Sequence, residues 1–212
     1  MRIVSVRHEK WMLVGLVIGS ALLSCGFWGK SKKDIDVKGV HSIAVTPFTY
    51  TKFKNFSSLT GEIVPATMYE VFDDKLSWEC IALDRVTAAM KEMGVDAGGA
   101  LTEQQARNLG KTLGADLVIY GSLPVYDEHE SSRDIPLTAG RMMTENIREL
   151  RVEFDFSIVR CAQEETPALH LLMDELERDT AKDPMMPDPP EQQLRHATRR
   201  MTKDLIKRFI TE

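Results

Sequence analysis

The residues that could perform covalent or acid–base chemistry are few and lie far apart in this sequence. The chain of 212 residues holds five histidines and three cysteines, and they form neither an HExxH pair nor a set with zinc-ligand spacing. Ser122 follows Gly121 without the rest of a nucleophile elbow, and no base is apparent for Cys80. His129 lies among acidic residues, which indicates a solvated loop. We therefore predict a protein that is not an enzyme and binds no metal or cofactor.

Cys25 has a different chemical context from the other cysteines. The apolar run WMLVGLVIGSALLS precedes it and follows the basic residues Arg2, Arg7 and Lys10. At fourteen residues, the run is shorter than the roughly 20 that span a bilayer as a helix. A basic leader, a short apolar run and a small-residue exit are typical of a secretory signal peptide, which is removed from the mature protein.

Residues 22–25 (LLSC) resemble the lipobox of bacterial lipoproteins. The resemblance implies cleavage between Ser24 and Cys25, a diacylglyceryl thioether on the Cys25 sulfur and an acyl chain on its new amino group. Several acyl chains together give stable membrane anchoring. Gly26 stands where many lipoproteins retained at the inner membrane have aspartate, which favours the outer membrane. An ordinary secreted protein with an unmodified cysteine, or an uncleaved anchor, remains the alternative.

Composition and charge limit the classes of partner. The chain carries 27 basic and 32 acidic residues, and removing residues 1–24 leaves a net charge of −7. An acidic domain is a poor nucleic-acid binder, because phosphate contacts need a basic face. Cys80 and Cys161 could form a disulfide in an oxidising compartment. Their positions in two predicted strands place them on opposite faces, which favours two small buried thiols instead.

The first half of the chain alternates between predicted strands and helices. Pro65 suits an early helical turn, Asp84 can cap a helix, Thr102 and Gln105 fit a capping box, and Gly114 suits a helix end. The predicted elements are a strand over 40–49, a helix within 59–75 that starts near Val64, a strand over 77–83, helices over 85–93 and 103–114, and a strand over 115–121.

The second half is less regular. Residues 127–148 are polar and mixed in charge, which predicts a long loop, whereas residues 151–161 alternate like a strand with one wet face. Periodicity leaves residues 168–176 open between a helix and a return strand. Residues 182–190 contain four prolines and predict a linker, and residues 191–210 predict an amphipathic C-terminal helix.

Together these elements predict an α/β fold, with a mixed sheet of about five strands flanked by helices. A helix that leads into a buried strand through a short link is an α/β connection. We predict three parts of the chain: a signal peptide over residues 1–24, a lipidated tether over 25–38 and a single domain over 39–212. The domain is long enough to bury its own core.

The order of residues over 41–123 resembles a superfamily of bacterial envelope lipoproteins. The resemblance rests on IAVTPF at 43–48, on Asp84-Arg85, and on LGAD at 113–116 followed by Gly121-Ser122. This superfamily includes the curli secretion channel lipoprotein (CsgG), the lipoprotein activators of penicillin-binding proteins (LpoB) and the amino-terminal domain of TolB. Membership implies a small α/β sandwich tethered to the outer membrane and facing the periplasm. It also favours a strand over residues 168–176.

The curli channel members insert two β-hairpins into the outer membrane, and this sequence departs from them at both places. A membrane hairpin needs strands of about ten residues with apolar alternation. Residues 127–134 and 175–183 are instead rich in charged side chains. The sequence therefore predicts neither hairpin and no pore.

Two surfaces are candidates for contact with a protein partner. Three aromatic residues lie between lysines in the segment that follows the first strand, a pattern that suits an interface; they are Tyr50, Phe53 and Phe56. The C-terminal helix has a basic side that could dock an acidic partner or could simply be solvated; its candidate contacts are Arg199, Arg200 and Lys203.

Three functions from different classes follow from these features. The first is a non-catalytic accessory lipoprotein that scaffolds or regulates an envelope machine through protein contacts. The second is a ring-forming subunit of a curli-type secretion channel, which would make the chain a homo-oligomer. The third is a periplasmic hydrolase with an unrecognised site at Cys80 or Ser122. We favour the first over the second, and the second over the third.

Overall fold

A computed structural model describes residues 35–50, 59–96, 99–137, 141–163, 165–182 and 186–211. The elements in chain order are β1 (Ile35–Asp36), β2 (Ser42–Val45), β3 (Thr49–Tyr50), α1 (Leu59–Lys75), β4 (Glu79–Cys80), α2 (Leu83–Glu92), α3 (Glu103–Leu113), β5 (Leu117–Pro136), β6 (Met142–Arg160), β7 (Leu169–Lys182), α4 (Pro190–Phe209) and β8 (Ile210–Thr211).

The main sheet is mixed, with strand order β4-β2-β5-β6-β7. β2 pairs in parallel with β4 and β5, and the short β3 also pairs in parallel with β5. β5, β6 and β7 are antiparallel to their neighbours. A separate pair joins β1 to β8 in parallel near the two ends of the described chain. The predicted α/β fold, a mixed sheet flanked by helices, is confirmed.

The two faces of the sheet bury separate cores. Side chains of α1 and α4 pack against one face, around Phe72, Phe154 and Phe156. Side chains of α2 and α3 pack against the other face, around Met90 and Leu109. Burial of each such side chain contributes about 1.5–3 kcal/mol, so both helix layers hold the sheet in place.

Helix boundaries follow the capping chemistry only in part. Thr102 and Gln105 form the predicted capping box at the start of α3, and Gly114 ends this helix in the left-handed conformation at φ 70°. The helix predicted over 85–93 is present as α2, but the predicted Asp84 cap is wrong, because Ala82 occupies the N-cap and Asp84 lies in the first turn. The helix α1 begins at Leu59, five residues before the predicted start, and contains Pro65.

The predicted long loop over residues 127–148 is wrong. Most of this segment belongs to a hairpin in which β5 and β6 stay paired from Leu117–Arg160 out to Pro136–Met142. We call its outer part, residues 127–136 and 142–150, the arm. Opposite charges face each other across it, because Asp127 is in register with Arg151, and Glu130 with Arg148. Such cross-strand pairs stabilise a sheet that has little apolar surface to bury.

The strand alternative for residues 168–176 is correct, and β7 also includes part of the predicted linker. β7 pairs with β6 over its whole length, from Leu169 opposite Ile158 to Lys182 opposite Glu145. Hairpins therefore form after residue 121 and before α4, the two places where the curli channel members insert theirs. The hairpin strands carry charged side chains instead of the apolar alternation that the sequence analysis required.

The guanidinium of Arg107 joins α3 to the turn between β6 and β7. Arg107 is 2% exposed and donates to the carbonyl oxygens of Arg160 at 2.6 Å and Gln163 at 2.8 Å. It also donates to the Thr166 carbonyl and to a Glu103 carboxylate oxygen. A buried charge is stable only when its hydrogen bonds are satisfied, and here one side chain satisfies three turn carbonyls.

The carboxylate of Asp116 joins the starts of β2 and β5. Its Oδ2 accepts hydrogen bonds from the backbone N–H groups of His41 at 2.8 Å and Ser42 at 3.0 Å, and from the Ser42 hydroxyl at 3.1 Å. Burial raises the pKa of Asp116, but these donors outweigh burial and hold the pKa below its ordinary value. The carboxylate form therefore stabilises the fold.

Replacing Asp116 with asparagine should lower the free energy of unfolding at pH 7 by about 1–3 kcal/mol, since charge-assisted hydrogen bonds are lost. A group with a depressed folded pKa contributes stability above its ordinary pKa of about 3.9 and loses it as the pH falls. The difference between the variant and the wild type should therefore shrink below pH 4. Urea titrations between pH 3 and pH 7 measure it, with Asp127→Asn in the exposed arm as the control.

Replacing Gly110 with alanine should also destabilise the protein, by about 1–3 kcal/mol from overpacking. A Cβ at Gly110 would lie 2.0 Å from the Cys161 sulfur and 2.9 Å from Cγ2 of Val118. The double variant Gly110→Ala, Cys161→Ala removes the closest atom and should recover part of the loss. Thermal unfolding of the wild type, the two single variants and the double variant measures the coupling energy between positions 110 and 161. Additive effects of the two substitutions would contradict a close contact between Gly110 and the Cys161 sulfur.

Candidate protein-interaction surfaces

Several of the predicted site residues lie outside the described residues. These are Ser24 and Cys25 at the predicted cleavage site, and Phe53 and Phe56 in the predicted aromatic patch. The backbone of Tyr50 is described, and it pairs with Leu123 as part of β3. Lipidation of Cys25 and partner contact by these aromatic residues stay predictions.

The basic side of α4 faces acidic residues of this same chain. Arg199 donates to a Glu70 carboxylate oxygen of α1 at 2.8 Å, and Arg195 lies 3.9 Å from the other oxygen of Glu70. Arg208 pairs with Asp204 one turn earlier in the helix, at 2.8 Å. The two contacts with Glu70 join α4 to α1 and give the predicted contact Arg199 an intramolecular partner.

Arg200 joins α4 to β7 by three contacts. Its Nε lies 3.3 Å from Glu175, its Nη2 lies 3.0 Å from Glu177, and Nη2 also donates to the backbone carbonyl of Leu176 at 2.6 Å. Burial raises the pKa of Glu175, and the charge of Arg200 acts against that rise. Of the three predicted contact residues on α4, Arg199 and Arg200 have structural roles and Lys203 is exposed.

The two described cysteines are free thiols in separate environments. Cys80 packs against the core on the α1 side of the sheet, and Cys161 belongs to the core on the α3 side. Burial raises the pKa of each thiol to about 11, so the reactive thiolate is scarce at neutral pH. The disulfide that the sequence left open is not formed, and neither thiol is an activated nucleophile.

A hydrogen-bonded cluster lies on the sheet face opposite α4. The Ser157 hydroxyl is 3.2 Å from Nδ1 of His170, and Nε2 of His170 is 3.3 Å from the Asp155 carboxylate. The order of groups is that of a nucleophile, a base and an orienting acid. Ser157 and Asp155 sit in the middle strand β6, whose backbone pairs on both sides, so their N–H groups cannot form an oxyanion hole. The cluster supports cross-strand pairing rather than acyl transfer.

Two large apolar side chains lie exposed on β7 beside this cluster. Leu172 is 63% exposed and Leu176 is 59% exposed. They alternate with charged residues that pair toward β6: Asp174 with Arg151 at 3.1 Å, and Arg178 with Glu149 at 3.3 Å. We call the residues 170, 172, 174, 176 and 178 the β7 stripe. The sequence analysis missed it because residues 168–176 had no certain secondary structure and therefore no defined faces.

Arg148 joins the arm to the segment before α4. Arg148 donates to Glu130 on the neighbouring strand at 2.7 Å and to the backbone carbonyl of Asp188 at 2.6 Å. A pocket of about 240 Å³ opens beside it, lined mainly by polar residues of the arm together with Ile147, Met186 and Pro187. The sequence analysis missed this contact because it predicted residues 127–148 as a loop.

Metal-ligand clusters and membrane-spanning helices are both absent from the described part of the chain. No group of three or more histidine, cysteine, aspartate or glutamate side chains there is placed to hold a metal ion. No helix in the same part is long and apolar enough to cross a membrane.

Comparison with known proteins gives structural likenesses only. No family model matches the chain, and no curated protein matches its sequence. Lipoprotein GNA1162 from Neisseria meningitidis resembles the structure with a TM-score of 0.45 and 11% identity, over 79% of this chain and 99% of that one. The LpoB C-terminal domain from Salmonella enterica gives a TM-score of 0.37 and 11% identity, over 63% of this chain and 83% of that one.

A PelC dodecamer from Paraburkholderia phytofirmans gives a TM-score of 0.39 and 11% identity, over 82% of this chain and 90% of the PelC chain. The neighbours thus include a lipoprotein and the LpoB domain, the second of which the sequence resemblance named. TM-scores below 0.5 at this identity assign neither a family nor a function to the chain.

Replacing Arg200 with alanine should lower the free energy of unfolding at pH 7 by about 1–2 kcal/mol, because two largely buried carboxylates lose their cation. A carboxyl group with a raised folded pKa opposes folding while it is charged and stops doing so as the pH falls through that pKa. The penalty should therefore shrink between pH 7 and pH 5. Lys203→Ala, at an exposed position of α4, is the control and should change stability by less than about 0.5 kcal/mol.

Proposed function

We propose that this chain is a non-catalytic accessory lipoprotein of the cell envelope. In this proposal, acyl chains on Cys25 hold it at the outer membrane, facing the periplasm. The folded domain scaffolds or regulates an envelope machine through contacts with protein partners. The observation that carries the proposal is the sequence LLSC at residues 22–25, directly after a basic leader and a short apolar run.

The chemistry of the described side chains supports a binding role over a catalytic one. Cys80 is a half-buried thiol and Cys161 a buried one, and burial raises the pKa of each. Ser157 and His170 lie on an open sheet face without oxyanion donors. Ser122, in register with Asp155 near an irregularity of the sheet, acquires no base from the described contacts. The hydrolase alternative thus loses the residues that the sequence analysis nominated for it.

The arm favours a second candidate, a subunit of a ring-forming envelope assembly. The β5 side of the arm, residues 127–136, carries mostly exposed side chains, and such an extension offers a contact surface to neighbouring subunits. The arm supplies a hairpin at one of the two places, but its charged side chains lack the apolar alternation that a membrane strand needs. The mass of the particle extracted in mild detergent distinguishes a ring from a monomer that awaits a different partner.

Replacing Cys25 with alanine should abolish lipidation and move the protein out of the membrane fraction, because membrane attachment would rest on acyl chains at that sulfur. Mass spectrometry of the wild-type N-terminal peptide should show a mature chain that begins at acylated Cys25. The matched control is Cys80→Ala, which should partition like the wild type. Detergent partitioning of the wild-type protein, Cys25→Ala and Cys80→Ala measures membrane anchoring. A wild-type protein that begins at Met1, or a Cys25→Ala variant that stays membrane-bound, would contradict the proposal.

A further inference from the structure

The outer end of the arm is apolar, although the rest of the arm is charged. Its side chains are Ile135, Pro136 and Leu137 at the end of β5, and Met142 and Met143 at the start of β6. Leu137 is 44% exposed and Met142 is 61% exposed. We call these residues the arm tip. Large apolar side chains that are exposed together at the end of an extension indicate a contact surface.

The arm tip has a sharp polar boundary. Directly behind it, the Thr144 hydroxyl donates to the Asp134 carboxylate at 2.9 Å. The next residues inward, Arg133 and Glu145, form an ion pair at 2.6 Å. Because a strand rises about 3.3 Å per residue, the residues 135–137 give the apolar end a depth of roughly 10 Å. The arm thus changes from apolar to charged within one residue on each strand.

The backbone of the arm tip has its polar groups paired where the structure describes them. β5 and β6 stay in register up to the pair Pro136–Met142. Pro136 has no N–H group, and the N–H of Leu137 donates to the carbonyl oxygen of Arg141 at 2.7 Å. A backbone group that enters an apolar phase without a partner is strongly unfavourable. This hairpin end is therefore suited to enter such a phase.

Resting on the proposed membrane anchor, we propose that the arm tip inserts into the interfacial region of a phospholipid bilayer. Interfacial segments bury their apolar side about 5–10 Å into the boundary between headgroups and acyl chains, which matches the depth of the apolar end. Arg141 is the one charged residue between Asp134 and Glu145 in the sequence, and it is exposed. A long basic side chain at such an interface reaches the lipid phosphates. The charged part of the arm stays in water.

The size of the arm tip favours a bilayer over a protein surface. Stable protein interfaces use about 20–30 residues from each partner, whereas the tip offers five. The charged residues behind the tip already pair with each other inside the arm. Contact between the tips of two copies is too small for a stable dimer for the same reason. A fluid bilayer needs no complementary shape, and flexible methionine side chains adapt to it.

The proposed anchor makes a weak insertion sufficient. Ten residues lead from Cys25 to Ile35, where the described domain begins, and an extended chain of this length reaches at most about 35 Å. A site that is tethered near its target binds at a high effective concentration. A small apolar tip can therefore engage the bilayer that holds the acyl chains, and the domain then lies along the membrane.

The test places a small environment-sensitive dye at position 142 of the full lipoprotein. Met142→Cys is labelled in a background of Cys80→Ala and Cys161→Ala, where the acylated Cys25 sulfur cannot react. The protein is reconstituted into vesicles of phosphatidylethanolamine and phosphatidylglycerol, with or without lipids that carry a spin label on the acyl chain. Only dye that enters the bilayer is quenched, so the fluorescence should fall at least about twofold, because interfacial segments reach the acyl-chain boundary.

Two controls on the β7 stripe locate the insertion. Leu172 is 63% exposed, but it alternates with charged side chains, so dye on Leu172→Cys in the same background should stay unquenched. Leu137→Glu puts a charge into the arm tip and should abolish quenching at position 142, since charge is expensive in a bilayer. Leu172→Glu should leave that quenching unchanged. Thermal unfolding checks that every variant is folded.

Four results would overturn the insertion. They are an unquenched dye at position 142 in protein that floats with the vesicles, equal quenching at positions 142 and 172, full quenching in the Leu137→Glu variant, and a dimer in detergent that Leu137→Glu dissociates in sedimentation experiments. The last result would assign the arm tip to a second copy. Flotation without quenching leaves the anchored accessory role intact. Quenching at position 142 in a protein whose N-terminal peptide carries no acyl chain would remove the anchor and retain the tip.

Discussion

The Arg107 guanidinium holds a charge inside the protein where water cannot solvate it, and the surrounding structure depends on how that charge is satisfied. Its partners come from α3, from the end of β6 and from the turn into β7. Because a buried cation without partners is very unfavourable, these elements can pack only in one relative position. The backbone carbonyls of this segment accept their hydrogen bonds from Arg107. One side chain therefore sets where β7 begins, and with it the edge of the sheet.

Other polar contacts apply the same principle at the remaining junctions. The Asp116 carboxylate gathers the starts of β2 and β5, Arg200 joins α4 to β7, and Arg148 joins the arm to the segment before α4. The apolar cores supply most of the stabilisation, but hydrophobic burial is non-directional. The charged side chains fix the relative positions of the elements, because each one reaches backbone groups that no strand or helix satisfies.

The sequence predicted the elements that bury an apolar face and failed for those that do not. The α3 capping box, the strand at Leu117 and the alternation of Val152 to Ile158 were correct because local chemistry and burial agree there. The arm was missed because residues 127–134 of β5 are all exposed, so they show no periodicity of 2. Its pairing comes from charges more than ten residues apart, which a local pattern cannot reveal. For the same reason the partners of Arg199 and Arg200, which lie on α1 and β7, were not foreseeable from α4 alone.

The continuity of β5 and β6 between core and arm has a mechanical consequence. Each strand runs from the buried centre of the sheet to the exposed end of the arm without an intervening loop. The register irregularity between Ser122 and Val125 is a point at which such a strand pair bends and twists. A force applied to the outer end of the arm would therefore be transmitted along β5 and β6 to this irregularity, and from there to the parallel strands β2 and β4.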